Sequence, residues 1–181
     1  MTDHARRMYR EALDRLNDAD LLSQSFKQHS DSDALLRILA FEVLLKCAIH
    51  LTGQEPGRHH AYTKLWRDLP SSVRSEVLDV ASNRMPRHSD LSQLDRLLKW
   101  YQYIFENARY HYELYRNYSA DEYSELGRLW EELGAPTHEA VIQYHPAELR
   151  SLIDGLKSFI EKRLSNPSLN TDAPKNGAPV S

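Results

Sequence analysis

Two charged residues stand one helical turn apart in the most apolar stretch of the chain. They are Glu42 and Lys46, within Phe41-Glu42-Val43-Leu44-Leu45-Lys46-Cys47-Ala48. Glutamate four residues before lysine is the favourable order for an ion pair on one helix. Inside an apolar helix such charges need partners, because an unpaired buried charge is expensive. Two uses fit the spacing: a structural ion pair along a seam between helices, or a carboxylate that helps orient a functional arginine. A second group lies downstream, in Phe105-Glu106-Asn107-Ala108-Arg109-Tyr110-His111-Tyr112-Glu113. Arg109 is one residue off the apolar stripe of that segment, with Glu106 three positions before it and Glu113 four after. Carboxylates at those offsets can hold a guanidinium rigidly. His111 is displaced from Arg109 by about 200° around a helix, so the two face different targets.

Aromatic residues crowd the same region. Trp100, Tyr101, Tyr103, Phe105, Tyr110, Tyr112, Tyr115 and Tyr118 are eight of the seventeen in the chain. Those on the apolar stripe read as core. Tyr103, Tyr110 and Tyr118 lie off it and could stack bases or bury at a subunit interface; the interface is the preferred reading. Common catalytic motifs are missing. There is no phosphate-binding glycine loop, no Gly-x-Ser-x-Gly and no His-Glu-x-x-His, since His138-Glu139 is followed by Ala-Val-Ile. The nine histidines show no ligand spacing with cysteine. Neither a metal site nor a cofactor is expected.

The elements that must position these residues are helices. The periodicity predicts a first helix from Asp3 to about Gln28 and a second from about Asp33 to Leu51, closed by Gly53. The second is apolar almost all round, so it should be the most buried element. Short helices follow around Tyr62–Leu69 and Ser72–Ser82, then the basic loop Asn83–His88. Asp90 with Gln93 resembles a capping box opening a long helix to about Asn117. Its stripe is Leu91, Leu94, Leu98, Tyr101, Phe105, Ala108, Tyr112 and Tyr115. Ser119 with Glu122 is a second capping box, for a helix ending at Gly134. Pro146 suits the first position of a last helix. From Ser165 the chain is rich in Ser, Asn, Pro and Gly and is expected to be disordered. The division is therefore a helical domain over 1–164 and a tail over 165–181.

Composition narrows the function classes. Hydrophobic residues make up 41% of 181, enough for one modest core. The balance of 23 basic against 26 acidic residues argues against a generally basic nucleic-acid coat, while leaving room for a local basic cleft. From Arg58 to Arg116 there are ten Lys or Arg against seven Asp or Glu; from Ser119 to Arg163, five against nine. An anionic ligand thus fits the middle of the chain best. The single cysteine, Cys47, excludes a disulfide within the chain and reads as buried. Met1–Glu11 lacks an apolar export segment, and Arg37, Glu42 and Lys46 interrupt Ala34–Leu51, so a cytoplasmic protein without a membrane span is expected.

Three pieces together resemble the HEPN family of helical domains. The Phe41–Ala48 run resembles its apolar helix with a Glu–Lys pair. His60, followed by Leu65, Trp66 and Leu69, resembles the histidine-led short helix after it. Ala108-Arg109-Tyr110 with Glu113 resembles the late arginine-containing helix. The match spans about Asp33 to Arg116. The resemblance implies an all-α, HEPN-like bundle of about five main helices plus short connecting helices, commonly a homodimer. Many members are metal-independent ribonucleases whose motif is arginine, four to six residues, then histidine. No arginine here is followed by histidine at that spacing; at the positions it sets beyond Arg109 stand Leu114, Tyr115 and Arg116. The expectation is a module associated with RNA or nucleotides, in a toxin–antitoxin, stress or defence setting, that lacks the standard motif. The alternatives are a non-catalytic protein-interaction domain and a ribonuclease with a rearranged site. The candidate anion or RNA site is Arg109, His60, His111 and Lys46, supported by the carboxylates of Glu42, Glu106 and Glu113.

Overall fold

The computed structural model describes residues 2–25, 32–107, 116–134 and 142–166. Seven helices and no strand occur among them: α1 (Thr2–Ser25), α2 (Ser32–Leu51), α3 (Tyr62–Asp68), α4 (Ser71–Arg84), α5 (Leu94–Asn107), α6 (Ala120–Glu132) and α7 (Pro146–Ser165). No described helix is long and apolar enough to cross a membrane.

The architecture is built around α2. A helix apolar on every side can be stable only where other elements cover every side. Accordingly α1, α3, α5 and α7 all pack on it, and eleven of its twenty residues are buried. α1 meets it through a seam of small side chains. Ala5, Ala12 and Ala19 recur every seven residues and are fully buried. Alanine at that spacing lets two helix backbones approach closely. The approach is close enough for the Cys47 thiol to donate to the Ala5 carbonyl at 3.4 Å. Arg37, buried on α2, is held at 2.7 Å by Asp20 on α1.

Large rings fill the middle of the core. Phe41 stacks on Tyr62 with ring centres 5.9 Å apart and meets Tyr101 edge-on at 6.0 Å. The Tyr101 hydroxyl donates to the His145 carbonyl at 2.9 Å, joining α5 to the start of α7. α7 covers both α2 and α4 with Leu149, Leu152, Leu156, Phe159 and Ile160, all buried. Pro146 occupies its first turn, as the sequence indicates.

Several boundaries differ from the sequence reading. α5 begins at Leu94, four residues after Asp90. The Asp90–Gln93 capping box does not form. The Asp90 carboxylate instead accepts from the Ser92 amide at 2.9 Å, and the Asp90 amide donates to Glu148 on α7 at 3.0 Å. Tertiary contact with α7 has taken over the groups that a cap would use. Arg116 and Asn117 form a turn, and the expected continuation of the helix over 108–115 lies outside the described residues. By contrast, the Ser119–Glu122 box forms reciprocally, with the Ser119 amide 2.7 Å from Glu122. α7 runs through Ser165, and the rest of the expected tail, from Pro167 on, lies outside the described residues.

One close contact sets how α4 and α7 cross. Gly155 on α7 faces Val77 on α4. A Cβ added there would run into the Val77 carbonyl oxygen and sit 3.0 Å from its side-chain Cγ1. Backbone cannot move aside as a flexible side-chain tip does. Gly155→Ala is therefore expected to destabilise the fold by about 1–3 kcal/mol through overpacking, despite alanine's better helix propensity. Urea unfolding checks this, and a gain in stability would contradict the tight crossing.

Candidate functional site

Glu42 lies in the third turn of α2, on the side covered by α3 and the loop before it. Its carboxylate is almost wholly removed from water. Such a group persists only with several donors around it, and three are present. Lys46 Nζ donates at 2.8 Å from one turn along α2. His60 Nδ1 lies 2.9 and 3.0 Å from the two carboxylate oxygens. The Tyr62 hydroxyl donates at 3.1 Å.

The chain is folded locally so that His60 returns to α2. Gly53, at φ 83°, closes α2 in the left-handed region. Residues 54–61 then run back along the helix, and α3 begins at Tyr62. His60 and Tyr62 flank Ala61, the N-cap of α3, which brings both onto one carboxylate. His59 diverges: its Nδ1 accepts from the Ala61 amide at 3.3 Å.

The chemistry of His60 follows from these contacts. An ionised carboxylate only accepts hydrogen bonds, so the Nδ1 that faces Glu42 carries the hydrogen. In the neutral ring Nε2 is then the lone-pair nitrogen, and no described residue hydrogen-bonds it. The side chain is 48% exposed, against 4% for Glu42 and 18% for Lys46. The Phe105 ring, from the last turn of α5, lies against the imidazole at 4.9 Å between centres. The result is a histidine oriented by a buried carboxylate, steadied by an aromatic face and open to solvent. Such a group can accept a proton, donate one, or contact an anion once protonated.

Burial above all, then the Glu42 charge and hydrogen bond, holds the Tyr62 phenol well above the ordinary tyrosine value of 10.0. The charge of Glu106 acts in the same direction. Tyr62 is therefore a lasting donor to Glu42. Glu106 itself accepts from Gln102 Nε2 at 3.0 Å on its own helix.

Of the residues proposed from the sequence, Glu42, Lys46 and His60 converge, with Glu106 near enough for its charge to reach Tyr62. The Glu42–Lys46 ion pair is present, but among the described residues Glu42 orients a histidine rather than an arginine. Arg109, His111 and Glu113 lie outside the described residues, as do Tyr110 and the other aromatics of that stretch through Tyr115. Two members escaped the sequence reading. By sequence Tyr62 reads only as the start of a short helix, although it stands two residues from His60. Phe105 reads as core from its place on the apolar stripe, yet it is partly buried and one face meets His60. Among the described residues, no three His, Cys, Asp or Glu are grouped to hold a metal ion.

Two outcomes follow for stability. Glu42→Gln keeps an acceptor but leaves Lys46 and His60 without their counter-charge, and should cost about 1–3 kcal/mol in urea unfolding. The pH dependence is set by groups that hold their protons more tightly when folded. Tyr62 and Tyr101 are both raised, chiefly by burial, and Cys47 is pushed by burial from 9.0 to about 12. Their contribution is complete below the unfolded values and is lost as pH rises past them. Stability should therefore fall above pH 9 for the thiol and above pH 10 for the phenols, each by about 1.4 kcal/mol per pH unit. Tyr62→Phe should make the decline shallower between about pH 10 and 11; an unchanged slope would contradict the assignment.

Comparison with protein-family models, with curated protein sequences and with solved structures finds no match to this chain.

Proposed function

We propose that the chain is a HEPN-like helical module that associates with RNA or nucleotides, and that His60 is the centre of the contact. The observation that carries this reading is the outward-facing imidazole, fixed at Nδ1 by buried Glu42 and lying beside Phe105. A protonated Nε2 gives one directed hydrogen bond and a positive charge to a phosphate oxygen. Phe105 steadies the ring that makes it. Lys46, part-buried one turn from Glu42, adds a second positive charge behind the site. Arg109 follows Phe105 by four positions in the sequence. The proposal assigns it a further phosphate contact, because a guanidinium matches phosphate geometry.

A second reading, cleavage of the bound RNA, is favoured by one observation. A carboxylate on Nδ1 is the arrangement that fixes a histidine's tautomer for proton transfer at Nε2. On this reading His60 moves the proton, and phosphate charge falls to Arg109.

The test is binding of a short single-stranded RNA across salt concentrations. His60→Ala and Arg109→Ala should each weaken binding by about tenfold or more, equivalent to about 1.4 kcal/mol. Arg109→Ala should also flatten the dependence on salt by about one phosphate contact. His60→Ala takes away one of the three donors to buried Glu42 and should also lower the melting temperature, so its binding is measured well below that transition. Wild-type protein with no measurable RNA affinity at low salt would defeat the proposal. Cleavage that persists in a chelator and is lost in His60→Ala would establish the second reading.

A further inference from the structure

α6 differs from every other helix of eight or more residues: none of its residues is buried. It makes no substantial contact with the other described helices. Yet it is amphipathic. Leu126, Leu129, Trp130 and Leu133 fall at i, i+3, i+4 and i+7, on one side of the helix. The hydrogen bond from the Leu133 amide to the Leu129 carbonyl, at 3.0 Å, keeps that last leucine in helical register. The three leucines are 43%, 42% and 73% exposed. An isolated helix of this length is marginal in water. This one has a complete capping box at its start and Gly134, at φ 80°, just beyond its end. Among the described residues it is therefore a helix without a core to stand on.

The spacing of the four residues is that of an amphipathic helix whose apolar face enters a groove on another protein. Charge selects among the occupants. α6 carries Asp121, Glu122, Glu125, Glu131 and Glu132 against the single Arg128. Arg128 is engaged by Glu125 and Glu132 on its own helix. Two copies of α6 laid face to face would bring two strongly acidic helices together. Helices that lie on membrane surfaces are rich in Lys and Arg on their polar side, the reverse of this one. We infer that α6 is a docking helix for a partner protein whose apolar groove is rimmed by lysine or arginine. Leu126, Leu129, Trp130 and Leu133 supply the anchors, and the flanking carboxylates set the register with the basic rim. This inference is independent of the His60 site.

The full chain is tested against a synthetic amphipathic peptide of leucine and lysine at helical spacing, with its leucine–glutamate counterpart alongside. Calorimetry should show binding of the lysine peptide that weakens as salt rises, and none of the glutamate peptide. Leu129→Ser with Leu133→Ser should weaken that binding at least about tenfold and leave the melting temperature unchanged. Leu126→Gln alone should weaken it by a smaller factor. The inference fails if the serine variant binds the lysine peptide as tightly as wild type, or if both peptides bind equally. It fails if the serine variant or Leu126→Gln loses melting temperature markedly, because the face then packs within the chain. It also fails if light scattering finds a wild-type dimer that the serine substitutions dissolve, which would make a second copy the occupant. Binding to anionic or zwitterionic vesicles that the same substitutions abolish would likewise overturn it.

Discussion

A carboxylate removed from water in the interior of a helical bundle must be met by donors, and the donors for Glu42 come from three parts of the chain. Lys46 is supplied by α2, His60 by the returning loop and Tyr62 by α3. Leaving one such group unanswered costs a substantial share of a domain's stability. The requirement therefore fixes the path of residues 52–61 as firmly as any apolar contact does. It also decides the chemistry of the site. Because Glu42 can only accept, the Nδ1 that meets it must carry the hydrogen, which leaves Nε2 facing out. A demand made by burial thus yields an oriented imidazole at the surface.

The apolar core supports this arrangement from behind. Phe41, one residue before Glu42, stacks on Tyr62, and Tyr101 meets Phe41 edge-on. Tyr62 consequently belongs to the core through its ring and to the site through its hydroxyl. Phe105 plays a comparable double part on α5, packed on the core with one face on His60. Rigid rings shared between core and site hold the geometry without long flexible side chains, which would lose more entropy on ordering.

The helical class, the central place of α2 and the start of α7 at Pro146 were legible in the sequence because they rest on local signals. These are an apolar run of helical length, a terminating glycine and a proline in the first turn. The Glu42–Lys46 pair was legible for the same reason, being four residues apart on one helix. The start of α5 was not. Asp90 carries a capping signature, but its amide is taken by Glu148, fifty-eight positions away, and no local pattern reports such a contact. Tyr62 and Phe105 were missed on similar grounds. Periodicity tells which side of a helix is apolar, whereas which polar group rests against its edge depends on how three separate segments meet. His60 was singled out by resemblance alone. Its partner follows from the loop path, which the sequence does not encode locally.

The position of α7 has a consequence for synthesis. α1 and α2 are neighbours in the chain and can associate as soon as both have left the ribosome. α4 finds its main partner only in α7, which begins more than sixty residues after α4 ends. Until residues 146–165 emerge, the sides of α2 and α4 that will meet Leu149, Leu152, Leu156 and Phe159 have no native cover. At ordinary elongation rates of about 5–20 residues per second this interval lasts several seconds. The nascent chain then carries an exposed apolar surface, and the Gly155–Val77 crossing closes it last.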